Sequence, residues 1–468
     1  MKYSAINIGP IISTLGMARK PRELWAASFL FSHLMKCIYV EAEKAKAIII
    51  SPAKPKEDKN KVGIYPDRIY IKGETNLEVI LRNAIWTFYE DLYNAGKRSS
   101  NNPDLGYFNV MSASCEAEKE SNAIATLNQK LDIMELCNYA ADKDASQTIY
   151  NIISKKASSS LFELATGEDK LPIPELEKIA SAQRNKHPEI KGKSHHRYFC
   201  VVQADGDNVG KTVSHKDLKD GEVLAISQKL VKFGLAATQL IEDFGGLPIY
   251  AGGDDLLFIA PVIGKDGSNI FNLLDVIEKD AFEGVHDVVG TLGLKDDKDN
   301  PIEASLSFGV SISYYKYPLY EALEAARNLL FDKAKKIEQK KAVAWRLRKH
   351  SGGTFDASFS LKDEKLKKQF GNLIATTTDN DTVSAIAHKL RQEEALVDVV
   401  LASENQDRLD ALFDKVLEFD KDKAGYFDAV KAIMPTLYKV IGKKGYVQAL
   451  YSLLRTAKFI KGEDLHDE

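Results

Sequence analysis

Ala251-Gly252-Gly253-Asp254-Asp255-Leu256-Leu257-Phe258-Ile259 combines a tight reversal, two acids at its tip and an apolar strand behind them. The glycines permit the turn. The strand fixes the carboxylates at an edge open to solvent, as metal-dependent phosphoryl transfer requires of its oxygen ligands. A second acidic loop, Ala204-Asp205-Gly206-Asp207-Asn208-Val209-Gly210-Lys211, lies upstream, at the end of the apolar run 197–204.

Working outward, Leu230, Phe233, Ala237, Leu240, Ile241 and Phe244 recur at helical spacing within 222–244, and Gly245-Gly246 closes that helix. Leu247 to Ala251 and Leu256 to Ala260 read as short strands. Asp266 or Ser268 is expected to cap a helix reaching about Phe282, and residues 304–313 give a last strand. Strand, helix, strand, strand, helix, strand is the ferredoxin-like order shared by polymerase palms. A long helix from Leu319 toward Arg346 is expected after it.

The N-terminal segment repeats the plan in reduced form. Strand 2–8 leads to a helix opening at Pro21, with Leu24, Trp25, Phe29, Leu30, Leu34 and Ile38 apolar. Strands at 46–51 and 68–72 and a helix at 77–94 follow, with an exposed Pro- and Lys-rich connection over 52–65. The expected class is α+β. A first ferredoxin-like unit spans 1–95, a helical middle 96–195 with a loop at 98–106, and a catalytic ferredoxin-like unit 196–350. A C-terminal helical bundle spans 351–468, with helices at 382–403, 406–419 and 424–457.

Bulk properties set limits. A chain of 468 residues with 44% hydrophobic and 28% charged residues reads as globular and multi-domain. A net charge of -3 argues against wholesale coating of nucleic acid but leaves room for a local basic groove. No apolar run approaches the ~20 residues of a membrane span. The N-terminus reads as a strand, not a signal peptide. Cys37, Cys115, Cys137 and Cys200 form no Cys-x-x-Cys pair, so no zinc is expected and reduced cytoplasmic thiols are.

In the ferredoxin-like order the first and third strands are central neighbours, which brings the two acidic loops together. Asp205, Asp254 and Asp255 are then placed to bind Mg²⁺ or Mn²⁺, with triphosphate oxygens completing the shell. Adjacent strand residues face opposite ways, so one of Asp254 and Asp255 is expected to ligate metal and the other to position metal or nucleophile. Gly206 admits close backbone approach, and the amides of 207–210 make a phosphate nest. Lys335, or Lys211, is placed to neutralise a phosphate. Ser307 reads as structural on chemistry alone. His286-Asp287 and His466-Asp467 lack companion ligands and read as chance pairs, and His195-His196 as linker residues.

These residues resemble a known family: the large, polymerase-like palm-domain subunit of type III CRISPR effector complexes, in the III-B form. Three places carry the resemblance. The first is Ile8-Gly9-Pro10-Ile11-Ile12 followed by Ala18-Arg19-Lys20-Pro21-Arg22-Glu23-Leu24-Trp25. The second is Asp205-Gly206-Asp207-Asn208 with Gly210-Lys211. The third is Gly252-Gly253-Asp254-Asp255, with Ser307-Phe308-Gly309 and Tyr317-Pro318-Leu319 downstream.

The resemblance implies two palm domains facing each other, a helical domain between them and a helical C-terminal domain. It implies a target-RNA-activated nucleotidyltransferase making cyclic oligoadenylate from ATP in antiviral defence. Guide RNA, target RNA and the other complex subunits are the implied partners, in the cytoplasm, with no membrane. Asp205 and Asp255 are the implied principal metal ligands and Asp254 is required beside them. Asp207 is a weaker candidate, and Lys335 holds triphosphate. Gly206, Asn208, Gly252, Gly253 and Ser307 complete the implied nucleotide site.

There are departures. The first palm strand begins at residue 2, so the His-Asp nuclease domain of many members and its DNase activity are not expected. The zinc-binding cysteines of the family are missing, and Ile12 stands in place of a glutamine. An acceptor other than ATP is an alternative, as in relatives that join AMP to S-adenosylmethionine. A free-standing diguanylate- or adenylate-type cyclase is another reading, disfavoured by the N-terminal palm-like segment. A non-catalytic scaffold with a vestigial site is a third, disfavoured by the presence of both acidic loops.

Overall fold

The computed structural model describes residues 1–55, 61–95, 107–136, 143–154, 156–167, 173–377, 380–416, 421–442 and 445–462. The expected loop at 98–106, Cys137 and His466-Asp467 lie outside the described residues. The strands are β1 (Lys2–Gly9), β2 (Ile48–Ser51), β3 (Arg68–Lys72), β4 (Asn109–Glu116), β5 (Tyr198–Asp207), β6 (Leu247–Gly252), β7 (Asp255–Pro261), β8 (Ser305–Tyr314), β9 (Ala342–Arg348) and β10 (Thr354–Ser360).

Two sheets organise the described residues. The first has the order β2-β3-β1-β4, the second β10-β9-β8-β5-β7-β6. In each, the first and third strands of a βαββαβ unit lie side by side at the centre, so the α+β class with two ferredoxin-like palms holds. The second sheet adds β9, parallel to β8, and β10 at its edge. Residues Tyr198 to Val202 of β5 are wholly buried, because helices cover one face of the central strand and the C-terminal bundle packs near its start. Among the described residues no helix is long and apolar enough to cross a membrane.

The helix Pro21–Lys44 is buried over most of its length because it serves both palms. Trp25 stacks on Phe29 at 5.2 Å within the first unit. On its other side Ser28 Oγ donates to the Ile249 carbonyl of β6 at 2.9 Å. The described parts of the connection read as an exposed loop over 52–65, residues 52–55 and 61–65, are largely interface instead. The Ala53 amide donates to Ser227 Oγ at 2.7 Å and the Ala251 amide to the Gly63 carbonyl at 2.9 Å, while Val62 to Tyr65 are buried. The short apolar run 62–65 had no periodicity to mark it; its partners come from the other palm.

Other elements depart from the sequence reading. The stretch expected to be all helical from residue 96 contains β4, which pairs with β1 from Lys2↔Glu116 to Gly9↔Asn109. The boundary expected at 95 therefore cuts the first sheet. The small residues Ser112, Ala113 and Ser114 hid this strand, because a half-buried strand of small side chains carries little hydrophobic alternation. The long helix expected from Leu319 toward Arg346 ends at Asp332. Lys340 and Lys341 adopt φ of 57° and 47°, which no helix continues through, and β9 follows. The boundary expected at 350 thus falls inside the β9–β10 hairpin.

Asn269, not Asp266 or Ser268, caps the next helix, its side chain accepting from the Phe271 and Asn272 amides. The C-terminal segments expected as single helices over 382–403 and 424–457 are each two: Asn380–Gln392 with Glu394–Ala402, and Ala424–Ile441 with Tyr446–Lys461. His195 and His196 are buried in a short turn beneath the last helix and are not linker residues. The bundle is tied to the second sheet by Trp345, whose Nε1 donates to Thr456 Oγ1 at 3.1 Å while its ring packs against Phe271, Phe359 and Phe370.

Candidate active site

β6 and β7 close on a two-residue turn, since Gly252 pairs with Asp255. Gly253 takes φ of 65°, the left-handed backbone a side chain would resist, and Asp254 follows at the tip. β5 pairs antiparallel with β7 as far as Ala204↔Leu256, so the next step sets Asp205 opposite Asp255. The Asp255 carboxyl is hydrogen-bonded to Asp205. A Cβ placed on Gly206 would lie 2.5 Å from Asp254 Oδ2 and 2.7 Å from its Cβ, so Asp254 lies over the Gly206 backbone. The three carboxylates that the two loops were expected to bring together do meet.

Lys335 joins them from the short turn Ala334–Lys336 behind the Leu319–Asp332 helix. Its Nζ donates to the carbonyls of Asp205 and Gly206, each at 2.8 Å, and to Asp207 Oδ1 at 3.0 Å, and it pairs with the Asp205 carboxylate. Asp207 is turned away from the trio. Its Oδ2 accepts from Ser305 Oγ at 2.9 Å, Ser307 Oγ at 2.8 Å and the Lys341 amide at 3.0 Å. Ser307 Oγ in turn accepts from the Ala342 amide at 3.2 Å. Asp207 and Ser307 thus form a buried bracket holding β5, β8 and the start of β9, and Asn208 donates to the Glu303 carbonyl at 2.9 Å. Lys211 is exposed, and His286, whose Nδ1 lies 2.8 Å from the Ala304 carbonyl, takes part in local packing.

The charges set the chemistry. Burial, then the neighbouring Asp205, raises the Asp254 carboxyl to about 7. Burial, then Asp254 and Asp205, pushes Asp255 well above the carboxylate range. Burial opposes the Lys335 ammonium, yet Asp205 and Asp207 outweigh it and raise its pKa. This is a surplus of negative charge, compensated by one ammonium and by retained protons. The donor set is hard oxygen at the end of a rigid strand pair, which fits Mg²⁺ or Mn²⁺.

One contributor was not read from the sequence. Asp67, at the end of the 61–67 segment of the first palm, adds its charge to both Asp254 and Asp255. Its neighbour Pro66 lies 3.9 Å from where a Gly253 Cβ would be. A lone aspartate before a strand carries no local signal; the docking of one palm on the other creates its role.

Comparison with known proteins follows the same division. Residues 198–344 match the Cas10/Cmr2 second palm domain, and residues 3–70 match the N-terminal domain of the CRISPR-associated protein Cmr2. The CRISPR system Cmr subunit Cmr2 of Pyrococcus furiosus is 30% identical over 184 residues, covering 34% of this chain and 19% of that protein's length. The chain therefore spans about a fifth of the curated relative it matches. Among solved structures, the apo type III-B Cmr-beta complex contains a chain that superposes with a TM-score of 0.57 at 11% identity, covering 94% of this chain and 82% of that one. A chain of the Csm1–Csm4 cassette in complex with pppApA superposes with a TM-score of 0.54 at 13% identity, covering 99% and 69%.

Proposed function

We infer the activity from the family: the chain belongs to the Cas10/Cmr2 proteins as a Cmr2-like, type III-B palm subunit, and we propose that it is a metal-dependent nucleotidyltransferase. It joins ATP units into a nucleotide second messenger, a cyclic oligoadenylate, when its complex binds target RNA in antiviral defence. The other complex subunits, guide RNA and target RNA are its partners, in the cytoplasm. The observation that carries this reading is the convergence of Asp205, Asp254 and Asp255 on one sheet edge with Lys335 as counter-charge. The presence of pppApA on the Csm1–Csm4 neighbour supports ATP-derived chemistry.

In each step a ribose hydroxyl attacks the α-phosphorus of ATP. An O–P bond forms, the bond to pyrophosphate breaks and the hydroxyl proton departs. Divalent metal, when bound, neutralises phosphate charge and lowers the hydroxyl's pKa. We assign its binding to Asp205 and Asp255, with Asp254 beside them. Lys335 neutralises the triphosphate after releasing the carbonyls it now holds. Gly206 leaves space for Asp254, and Gly252-Gly253 set the turn. Asp207, Asn208 and Ser307 hold the loop from beneath. We read the first palm as running through β4, and the catalytic palm as including the β9–β10 hairpin.

The test is the assembled complex with matching target RNA, Mg²⁺ or Mn²⁺, labelled ATP and S-adenosylmethionine, with products identified by mass spectrometry. Oligoadenylate that forms only with target RNA, and not in Asp254→Ala plus Asp255→Ala, supports the assignment. An AMP–S-adenosylmethionine conjugate would replace the acceptor. Product without RNA would indicate a free cyclase, and no product under any condition a scaffold.

A further inference from the structure

Away from the acidic site, a second cluster of ligating side chains lies inside the first palm. His33 and Cys37 sit one turn apart on the Pro21–Lys44 helix, and Asp91 faces them from the helix Leu77–Ala95. His33 Nε2 is 2.9 Å from Asp91 Oδ2 and 3.8 Å from Cys37 Sγ. The nitrogen, sulfur and oxygen all lie within 4.8 Å of one another. His33 and Cys37 are buried, and the side chain of Asp91 is about one-third exposed. The imidazole is held by stacking on Phe29 at 5.6 Å and by Phe88 at 5.8 Å.

Two ordinary explanations cover only part of this. A Cys-His-Asp hydrolytic relay needs the carboxylate on one ring nitrogen and the thiol at the other. Here both face Nε2. A hydrogen-bonded clamp between the helices accounts for His33 and Asp91, but Nε2, with one proton or one lone pair, cannot bond the carboxylate and the thiol together, so a clamp alone leaves Cys37 as a buried packing thiol.

Three donors of different hardness converging on one point is the arrangement of ligands around a cation. A mixed N, S and O set suits Zn²⁺. Ligand bonds of about 2.0 Å to nitrogen and about 2.3 Å to sulfur at tetrahedral angles separate those two atoms by roughly 3.5 Å. The observed N–S separation of 3.8 Å is a few tenths of an ångström wider, and the observed N–O separation of 2.9 Å would have to open by a similar amount to reach roughly 3.3 Å.

We propose that His33, Cys37 and Asp91 form a zinc site that joins the helices Pro21–Lys44 and Leu77–Ala95. The expectation of no zinc rested on the absence of paired cysteines, a signature that a mixed ligand set from two distant helices does not produce.

The experiment uses the full chain, stripped with chelator and reloaded with Zn²⁺, or with Co²⁺ as an optical probe. Metal content by plasma mass spectrometry should show one more zinc per wild-type chain than per Cys37→Ser chain. Co²⁺ should produce a thiolate charge-transfer band that Cys37→Ser lacks. Asp91→Asn, at a part-exposed and shape-conserving position, should weaken Zn²⁺ binding by about tenfold or more while circular dichroism stays unchanged. Absence of the band in the wild type would overturn the site, as would a band unaltered in Cys37→Ser. The acidic trio contains no sulfur, so metal bound there cannot imitate this signal.

Discussion

Lys335 Nζ donates to Asp207 Oδ1 at 3.0 Å across 128 positions of sequence, and the same ammonium pairs with Asp205. It is the built-in counter-charge of the acidic loop. Lys335→Met should destabilise the metal-free protein by about 3 kcal/mol, because removing one partner leaves buried carboxylate charge uncompensated. Mn²⁺ should restore more of the melting temperature in the variant than it adds to the wild type, and product formation should fall about a hundredfold. A metal-free variant melting with the wild type would remove Lys335 from this role.

Asp254 and Asp255 make the protein's response to pH depend on metal. Their folded-state pKa values lie above the unfolded range, chiefly through burial, then through Asp205 for Asp254 and through Asp254 and Asp205 for Asp255. The folded chain therefore retains protons that the unfolded chain releases. This contribution is fully present below the ordinary carboxylate range and is lost as pH rises through about 7 for Asp254. Asp254→Asn should thus gain stability over the wild type as pH rises across that interval in EDTA. Thermal melts at a series of pH values measure the difference; one that is flat or of opposite slope contradicts the assignment. Asp67→Asn, which removes a smaller push on the same groups, should move the activity profile modestly to lower pH.

Gly206→Ala tests the placement of Asp254. The new methyl meets Asp254 Oδ2 at 2.5 Å and Val209 Cγ2 at 2.8 Å. Overpacking there should cost about 1–3 kcal/mol. Displacing a metal-binding carboxylate by about an ångström should lower turnover about a hundredfold. Turnover at the wild-type level would show that Asp254 works from elsewhere.

His195 and His196 should give the protein an acid-sensitive seam. Burial, then the neighbouring His196, lowers His195 to about 3. Burial, then Arg184, lowers His196 to about 4. Both rings are neutral in the fold, while the unfolded chain takes up protons near pH 6.5. Their contribution is intact above that value and disappears as pH falls toward about 4 and then about 3. His195→Gln should flatten the acid limb of the stability curve, as followed by circular dichroism. An unaltered limb would assign the acid sensitivity to other groups.

What the sequence made legible was whatever depended on local pattern. The Gly-Gly turn, the apolar runs of β5 and β7, and the periodicity of 222–244 are short-range signals, and together they bring Asp205 to Asp254 and Asp255. The β9 segment Ala342–Arg348 was hidden because helix-forming lysines lead into it and the break at Lys340 and Lys341 is a backbone event without glycine. Asp67 and the 62–65 segment were hidden because their partners belong to the other palm. The surroundings of Asp207, the weaker candidate, were hidden for a different reason. Its residue type suits a metal ligand, and only the hydroxyls of Ser305 and Ser307 show that its lone pairs are already engaged.

The Asp207 bracket has a mechanical side. The Lys341 amide that holds Asp207 lies immediately before β9, and Trp345 on that strand is bolted to Thr456 in the last helix. One short, stiff strand thus runs from the underside of the acidic loop to the tail of the chain. The acidic loop and the last helix therefore share one rigid support, with no solvent layer between the two hydrogen bonds that anchor it.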